Sequence, residues 1–502
     1  MTEERITAEL NQASKESKKY VSDWPPFLNQ ANDDGFGNGE EKSSNSGSFV
    51  PHRYTQEELE GVSNIFHLCL LASGSQREEN THGSNPKITW EPSMAPSVVD
   101  YVNYGAEDEE SLRQNRQGFA RYALRPRVLK DVSKTDTSTT ILQGRVRLSM
   151  PLCIAPFAGC TVHPDKEFAI AKAAADAGIG YTVPNLSGTP VRDLVEQHLK
   201  SSVGDSGPPP PFLFQIYPQK PKVSNEGFDR EQMEAILRYL SSLGNGNNTK
   251  SIVGVILTCD TVNLGNRELT YKNPQWLIDI DDQVGGFPNP CALSDDSANL
   301  PDMSMTRFTS SMTWEDIRWM KRKCRQFELA LILKGIMTKE DTKLAVEAGV
   351  DAVIVSNHGG RQLDGTLGTV EVVEECAQAA RGSKTEIYVD GGIRRGKDIA
   401  KCLALGAKCV FVGRPIIWGL AAGGQQGVAR ALEIYQEELL TVLQLLGCSS
   451  PQQLTRDHVE DQRCRSAELG IRARSANRWI LATLCMTAVA FAVGRYPSTF
   501  RR

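Results

Sequence analysis

Eight short apolar runs mark the middle of the chain: 151–156 (PLCIAP), 178–183 (GIGYTV), 211–217 (PFLFQIY), 253–260 (VGVILTCD), 329–335 (LALILKG), 352–357 (AVIVSN), 386–392 (EIYVDGG) and 409–414 (CVFVGR). Each is rich in Val, Ile and Leu and is continuous rather than alternating. Such runs suit strands buried on both faces of a parallel sheet. Helix-compatible stretches lie between them, at 166–177, 338–348 and 396–405. The second opens on Thr338 with acids in its first turn, a capping signature. Eight βα units in succession predict an α/β fold, a (β/α)8 TIM barrel of about 250 residues. An open doubly wound sheet is the competing reading, but no G-x-G-x-x-G opens a first unit.

The ends of the chain differ in character. Residues 1–93 are polar, and 32–48 is so rich in Gly, Ser, Asn and acids that disorder is expected. Within this extension the apolar patch 62–71 is able to dock as a helix. The barrel domain is expected over 94–459, with insertions at 201–210 and at 279–311. Long insertions of this kind tend to be lids or disordered. From 460 to 502 the chain is a basic tail with eight Arg against three acids. Sixteen uncharged residues, 479–494, sit there between Arg478 and Arg495. A spanning helix wants about 20 apolar residues, with about 17 as the lower end. An arginine-flanked marginal span predicts a hydrophobic tail that anchors the chain to a membrane, facing the cytosol; a terminal helix packed on the protein is the alternative.

Composition narrows the function. The 502 residues carry a net charge of -5, which excludes a nucleic-acid wrapper with its concentrated basic surface. Twelve cysteines without a C-x-x-C pair read as reduced core thiols of an intracellular protein, not a disulfide scaffold. The spacings Cys153/Cys160 and Cys402/Cys409 match no zinc template, so no metal site is expected. The start MTEERITAEL is neither a secretory nor a mitochondrial leader, and the end FRR is not a peroxisomal signal.

Barrel active sites lie where strands end. The strand ends here carry Gln215 and Tyr217, Thr258 and Asp260, Lys334, Ser356 with His358, Asp390, and Arg414. A lone polar residue after a strand is usually a turn former, but so many capable groups on one face point to a site. The segment 356–365 (SNHGGRQLDG) is the most informative. His358 is able to take a proton near neutral pH, and Gly359 and Gly360 allow a ligand close to the backbone. Arg361 is able to grip a carboxylate with two parallel hydrogen bonds. Base plus clamp implies a small organic acid. Separately, Asp390-Gly391-Gly392-Ile393-Arg394 and Gly413-Arg414 end the last two strands, where barrels often hold phosphate. A phosphate-bearing cofactor is therefore expected.

These strings, with 99–129 (VDYVNYGAEDEESLRQNRQGFARYALRPRVL), resemble the FMN-dependent α-hydroxy-acid dehydrogenase/oxidase family over about 96–458. That family includes glycolate oxidase, lactate oxidase and the flavocytochrome lactate dehydrogenases. The resemblance implies oxidation of an L-2-hydroxy acid to the 2-keto acid, with FMN as cofactor and O2 or another acceptor reoxidising it. It gives His358 the role of base or hydride-transfer partner and Asp260 that of its carboxylate partner. Arg361 and Tyr101 would hold the substrate carboxylate, Tyr217 would meet its hydroxyl, and Leu186 would line its pocket. Lys334 would stand beside the flavin N1/C2 carbonyl. Pro156, Phe157, Ala158, Gln215, Thr258 and Ser356 would contact the flavin ring. Asp390 would contact the ribityl chain, and Gly391, Gly392, Arg394, Gly413 and Arg414 would surround the phosphate. Relatives of this kind are commonly tetramers, so a homo-oligomer is expected.

The chain departs from the family in places. Pro184 stands where many members have Ser or Thr, and it has no N–H to donate. Leu186 resembles the flavocytochrome branch rather than plant glycolate oxidases, which carry Trp. Val262 and Asn263 replace a Pro-Arg-like pair, while Arg267 is kept. A non-catalytic, membrane-tethered FMN-binding scaffold is the alternative function, although a scaffold has no need of His358. Another phosphate-binding barrel enzyme would leave His358 with Arg361 unexplained.

Overall fold

A computed structural model describes residues 96–463, except 201–209, 222–226, 244–249 and 269–307, together with Leu59, Val62, Ile65 and Met94. The stretch 32–48, most of both insertions and the apolar run 479–494 lie outside the described residues. Among the described residues no helix is long and apolar enough to cross a membrane.

Two short pairings precede and follow the main sheet. β1 (Tyr122–Leu124) pairs antiparallel with β12 (Val459–Asp461), and β2 (Thr139–Ile141) with β3 (Val146–Leu148). Between them all eight apolar runs form parallel strands. They are β4 (Leu152–Ile154), β5 (Gly180–Val183), β6 (Phe212–Ile216), β7 (Ile252–Thr258), β8 (Ala330–Ile336), β9 (Ala352–Val355), β10 (Glu386–Val389) and β11 (Cys409–Val412). β11 pairs with β4, Phe411 beside Cys153, and this closes the barrel. The fold is thus the (β/α)8 barrel rather than the open sheet. The three expected helices form as Lys166–Asp176, Lys339–Glu347 and Gly396–Ala404. Thr338 caps the second, its side chain accepting the Asp341 N–H.

The strands are continuous in apolar residues because both of their faces are covered. Outward residues such as Leu152, Phe214, Leu257, Leu333 and Val355 pack against the helices. Inward residues, among them Leu213, Ile256, Ile332, Ile354, Tyr388 and Phe411, form a separate inner core. Ile141, Leu142, Val146 and Leu148 of the β2–β3 hairpin complete that inner core. The hairpin is pinned at the start of β10, where Leu142 N–H donates to Glu386 Oε2 at 2.8 Å and Gln143 N–H to Oε1 at 2.9 Å. It stops the N-terminal end of the barrel, and the cleft opens at the C-terminal ends of the strands.

The extension also meets the barrel. Leu59, Val62 and Ile65 are buried in the outer core, and Arg430 Nε donates to Val62 O at 3.0 Å. The described cysteines are free thiols, all buried except the half-buried Cys259.

Candidate active site

The cleft at the strand ends is a cavity of about 170 Å³. Its walls include Tyr101, Pro156, Phe157, Ala158, Leu186, Gln215, Tyr217, Lys334, His358, Arg361, Asp390, Gly391, Gly392, Arg394, Gly413 and Arg414. These residues come from both ends of the domain sequence and meet only because the barrel closes.

His358 stands just past β9 in left-handed backbone, φ 59°, followed by Gly359 and Gly360 with φ 67° and 77°. Histidine tolerates this region better than most residues. Its Nδ1 lies 3.0 Å from Asp260 Oδ1. An ionised carboxylate only accepts, so Nδ1 carries the proton and Nε2 is the basic nitrogen. Burial pushes His358 down from the ordinary imidazole value, and the pull of Asp260 only partly offsets it. Burial works the other way on Asp260, raising it. The His358 interaction and Lys334 outweigh that, so its carboxyl stays below the usual range. The pair is therefore Asp⁻ with neutral His at neutral pH, the state a base needs. Gly335, φ 104° in β8, makes room for it, since a Cβ there would stand 2.7 Å from that of Asp260.

One prediction follows from these directions. Protonated His358 has no lone pair to offer, so activity is present above its pKa and lost as the pH falls through it. The acid limb of kcat/KM should therefore lie below the ordinary imidazole value of 6.5. A pH–rate profile checks this, and an acid limb centred at pH 7 or above would refute it.

On the carboxylate side, Arg361 stacks over the Tyr101 ring at 4.7 Å, and its Nη1 donates to Tyr101 O and Tyr104 O. Tyr217 faces the same space. Burial first, then the nearby Asp260 charge, raises its phenol well above the ordinary value, so it remains a neutral donor.

Lys334 is 5 % exposed; its Nζ lies 3.0 Å from Ser356 Oγ and 3.5 Å from Asp390 Oδ2. Ser356 Oγ also accepts the His358 N–H at 3.1 Å. Gln215 donates to Thr258 Oγ1 at 2.9 Å and accepts the Asn185 N–H at 2.9 Å. Thr258, Ser356 and Asp260 therefore stand behind Gln215, Lys334 and His358 rather than on the cleft wall.

The far end suits a phosphate and its polyol. Asp390 Oδ1 is buried without a hydrogen-bond partner, an acceptor waiting for a hydroxyl. Gly391 and Gly392 have φ 92° and 75°, and a Cβ on Gly392 would lie 1.8 Å from Asn115 O. The helix Arg414–Leu445 starts from Gly413, and helix N-termini attract anions. Burial, with Arg361 and Arg394 close by, pushes the Arg414 guanidinium down. An acceptor for a ribityl hydroxyl, an anion seat and the buried cation Lys334 together fit FMN.

Arg414 has a further task that its position in the sequence did not reveal. It donates to Val102 O at 2.8 Å, Gly359 O at 2.9 Å and Tyr104 O at 3.3 Å. Three other residues also escaped the sequence reading. Asn115 and Asn357 exchange amide hydrogen bonds of 2.8 and 2.9 Å beneath the His358 loop. Phe308 closes the wall beside Tyr217, their ring centroids 4.8 Å apart.

Residues 91–461 match the family model described as FMN-dependent dehydrogenase. The chain is 37% identical to 2-hydroxyacid oxidase 2 of Homo sapiens over 375 residues, 74% of this chain and 95% of that protein. It is 38% identical to glycolate oxidase 5 of Oryza sativa subsp. japonica over 367 residues, 72% of this chain and 90% of the relative. Among solved structures, mandelate oxidase with (S)-2-phenylpropionate superposes with TM-score 0.62 at 29% identity, covering 80% of this chain and 98% of that one.

Proposed function

The chain belongs to the FMN-dependent dehydrogenase family, and on that premise we propose that this cleft oxidises an L-2-hydroxy acid to the 2-keto acid. The observation that carries the reading is the His358–Asp260 pair facing the Arg361–Tyr101 clamp across one cavity. Gly391, Gly392, Arg394, Gly413 and Arg414 would hold the phosphate of FMN and Asp390 its ribityl chain, and FMN would supply the two-electron acceptor. Arg361 and Tyr101 bind and orient the substrate carboxylate. Tyr217 holds the substrate oxygen with its phenol proton. Oxidation removes two electrons and two protons from the H–C–O–H unit; one proton goes to His358 Nε2, and the electron pair with the other proton would be taken up by FMN. Asp260 then faces an imidazolium, whose charge it stabilises while fixing the ring. Lys334 places a buried positive charge where negative charge gathers on reduction.

Anaerobic mixing of the yellow holoenzyme with 2-hydroxy acids tests the reading: flavin absorbance should bleach, and no bleaching with any of them would refute it. Admitting air afterwards shows whether O2 is the acceptor. We further propose that the chain works in a reducing compartment as a homo-oligomer, tethered to a membrane by 479–494. The uncharged run between Arg478 and Arg495 supports the tether. Equal solubility of the full chain and a chain ending at 478 would refute it, and a monomer by light scattering would refute the oligomer.

A further inference from the structure

One buried acid behind the cleft has no task in the reaction described above. Glu167 is 0 % exposed and stands in the first turn of the helix Lys166–Asp176, between β4 and β5. Both of its oxygens are engaged by the turn that follows β5. Oε1 accepts the Gly188 N–H at 2.7 Å, and Oε2 accepts the Thr189 hydroxyl at 2.7 Å. A carboxylate is costly to bury, and charge-assisted bonds of this kind offset that cost. The helix N-terminus around Glu167 favours the negative charge as well.

The clamped turn reaches the cleft through a short chain of buried bonds. Ser187 Oγ donates to Thr189 O at 2.7 Å and accepts the Thr189 N–H at 3.1 Å, so the turn is closed on itself. Two residues before it, Asn185 N–H donates to Gln215 Oε1 at 2.9 Å, and Asn185 Oδ1 accepts the Tyr217 N–H at 3.3 Å. Gln215 Nε2 donates one hydrogen to Thr258 Oγ1 at 2.9 Å. The orientation of this amide is therefore fixed, and its second Nε2 hydrogen is left for the cleft that Gln215 lines. The loop after β4 meets the same acid. Cys160 Sγ lies 3.7 Å from Phe157 O, and burial first, then the Glu167 carboxylate beside it, push the Cys160 thiol well up. Glu167 thus stands behind both loops, 156–160 and 184–189.

We propose that Glu167 is a positioning residue for the oxidation. By clamping the turn 187–189 it sets the Gln215 amide and Tyr217 in the places from which they serve the flavin seat and the substrate oxygen. A misplacement of about 1 Å at a reacting centre is able to lower the rate by roughly a hundredfold. A carboxylate that never touches substrate then controls turnover through the turn it holds. The inference rests on the reading of the cleft as a 2-hydroxy-acid site.

The test compares Glu167→Met, Glu167→Gln and Thr189→Val with the parent, all as full-length holoenzymes. Methionine removes both bonds. Glutamine restores them, its oxygen accepting the Gly188 N–H and its nitrogen donating to Thr189 Oγ1. Valine matches threonine in shape and removes only the bond to Oε2, so it decides the matter even where Glu167→Met does not fold. Two ligands separate the roles in calorimetry. A 2-oxo acid calls on Tyr217, whereas the carboxylic acid of the same length without that oxygen calls only on Arg361 and Tyr101. Flavin bleaching at saturating 2-hydroxy acid should slow by roughly ten- to a hundredfold in Glu167→Met and by about tenfold in Thr189→Val, with Glu167→Gln near the parent. The 2-oxo acid should bind about tenfold more weakly in the first two, while Kd for the plain acid stays unchanged. A lower Tm with the parent's bleaching rate and 2-oxo acid affinity overturns the proposal, since Glu167 then only braces the fold. Equal weakening of both ligands overturns it too, because the disturbance then lies at the carboxylate clamp. Failure of every 2-hydroxy acid to bleach the parent's flavin would instead overturn the reading beneath it.

Discussion

Replacing His358 with glutamine should lower the rate of flavin reduction by roughly 10²–10⁴-fold while FMN stays bound. Glutamine is near in length to histidine and keeps an N–H for Asp260 Oδ1, which Nδ1 meets at 3.0 Å. It has no nitrogen able to take a proton, so the substitution removes the base and little else. Flavin should stay because the groups that suit its phosphate and ribityl chain, Arg394, Arg414, the Gly391–Gly392 backbone and Asp390, lie on other strands. The loop should keep its shape for a different reason: it is set from beneath by the Asn115–Asn357 amide pair and by Gly360 N–H on Asn357 Oδ1 at 3.2 Å. Stopped-flow reduction under nitrogen, normalised to bound flavin by absorbance, decides the matter. A variant that reduces flavin within tenfold of the parent would mean that another group takes the proton.

Much of this was legible in the sequence because it is local. A strand buried on both faces must be continuous in apolar residues, so β4 to β11 were visible as runs. Their C-terminal ends followed directly, and with them Gln215, Tyr217, Lys334, His358, Asp390 and Arg414. What stayed hidden depends on contacts far apart in the chain. Asn115 lies in the helix Glu110–Gln117 and reads there as an ordinary polar residue. Only the closed fold shows that it is 1 % exposed and paired with Asn357. The β2–β3 hairpin has strands too short for a pattern, yet it supplies the floor of the inner core. Phe308 lies near the end of the long insertion 279–311, and nothing in its neighbourhood marks it as a wall of the site. Sequence position also cannot separate a group on the cleft surface from one behind it, which is why Thr258 and Gln215 looked alike.

Arg414 is where these two kinds of information meet, and Arg414→Met should damage binding and folding together. As a phosphate partner its loss should weaken FMN binding by about ten- to a hundredfold, the worth of one charge-assisted hydrogen bond of roughly 1.5–3 kcal/mol. Its other donors matter as much. They reach Val102 O and Tyr104 O near the helix Pro96–Asn103 and Gly359 O in the catalytic loop. Methionine fills the volume but leaves these carbonyls without a donor, at a cost of about 1–3 kcal/mol for each that stays buried. The apoprotein should therefore melt several degrees lower, and the remaining turnover should be slower because Gly359 adjoins His358. Arg394→Met provides the contrast. Arg394 lies over the Trp418 ring at 5.2 Å and donates to Ile393 O beside it in sequence, whereas Arg414 spans Val102, Tyr104 and Gly359. Loss of Arg394 should weaken FMN binding with a smaller change in apoprotein Tm. Flavin titration of the apoproteins and their melting curves distinguish the two. Equal Tm losses in both variants would show that the backbone ties of Arg414 are not what holds the His358 loop to the N-terminal helix.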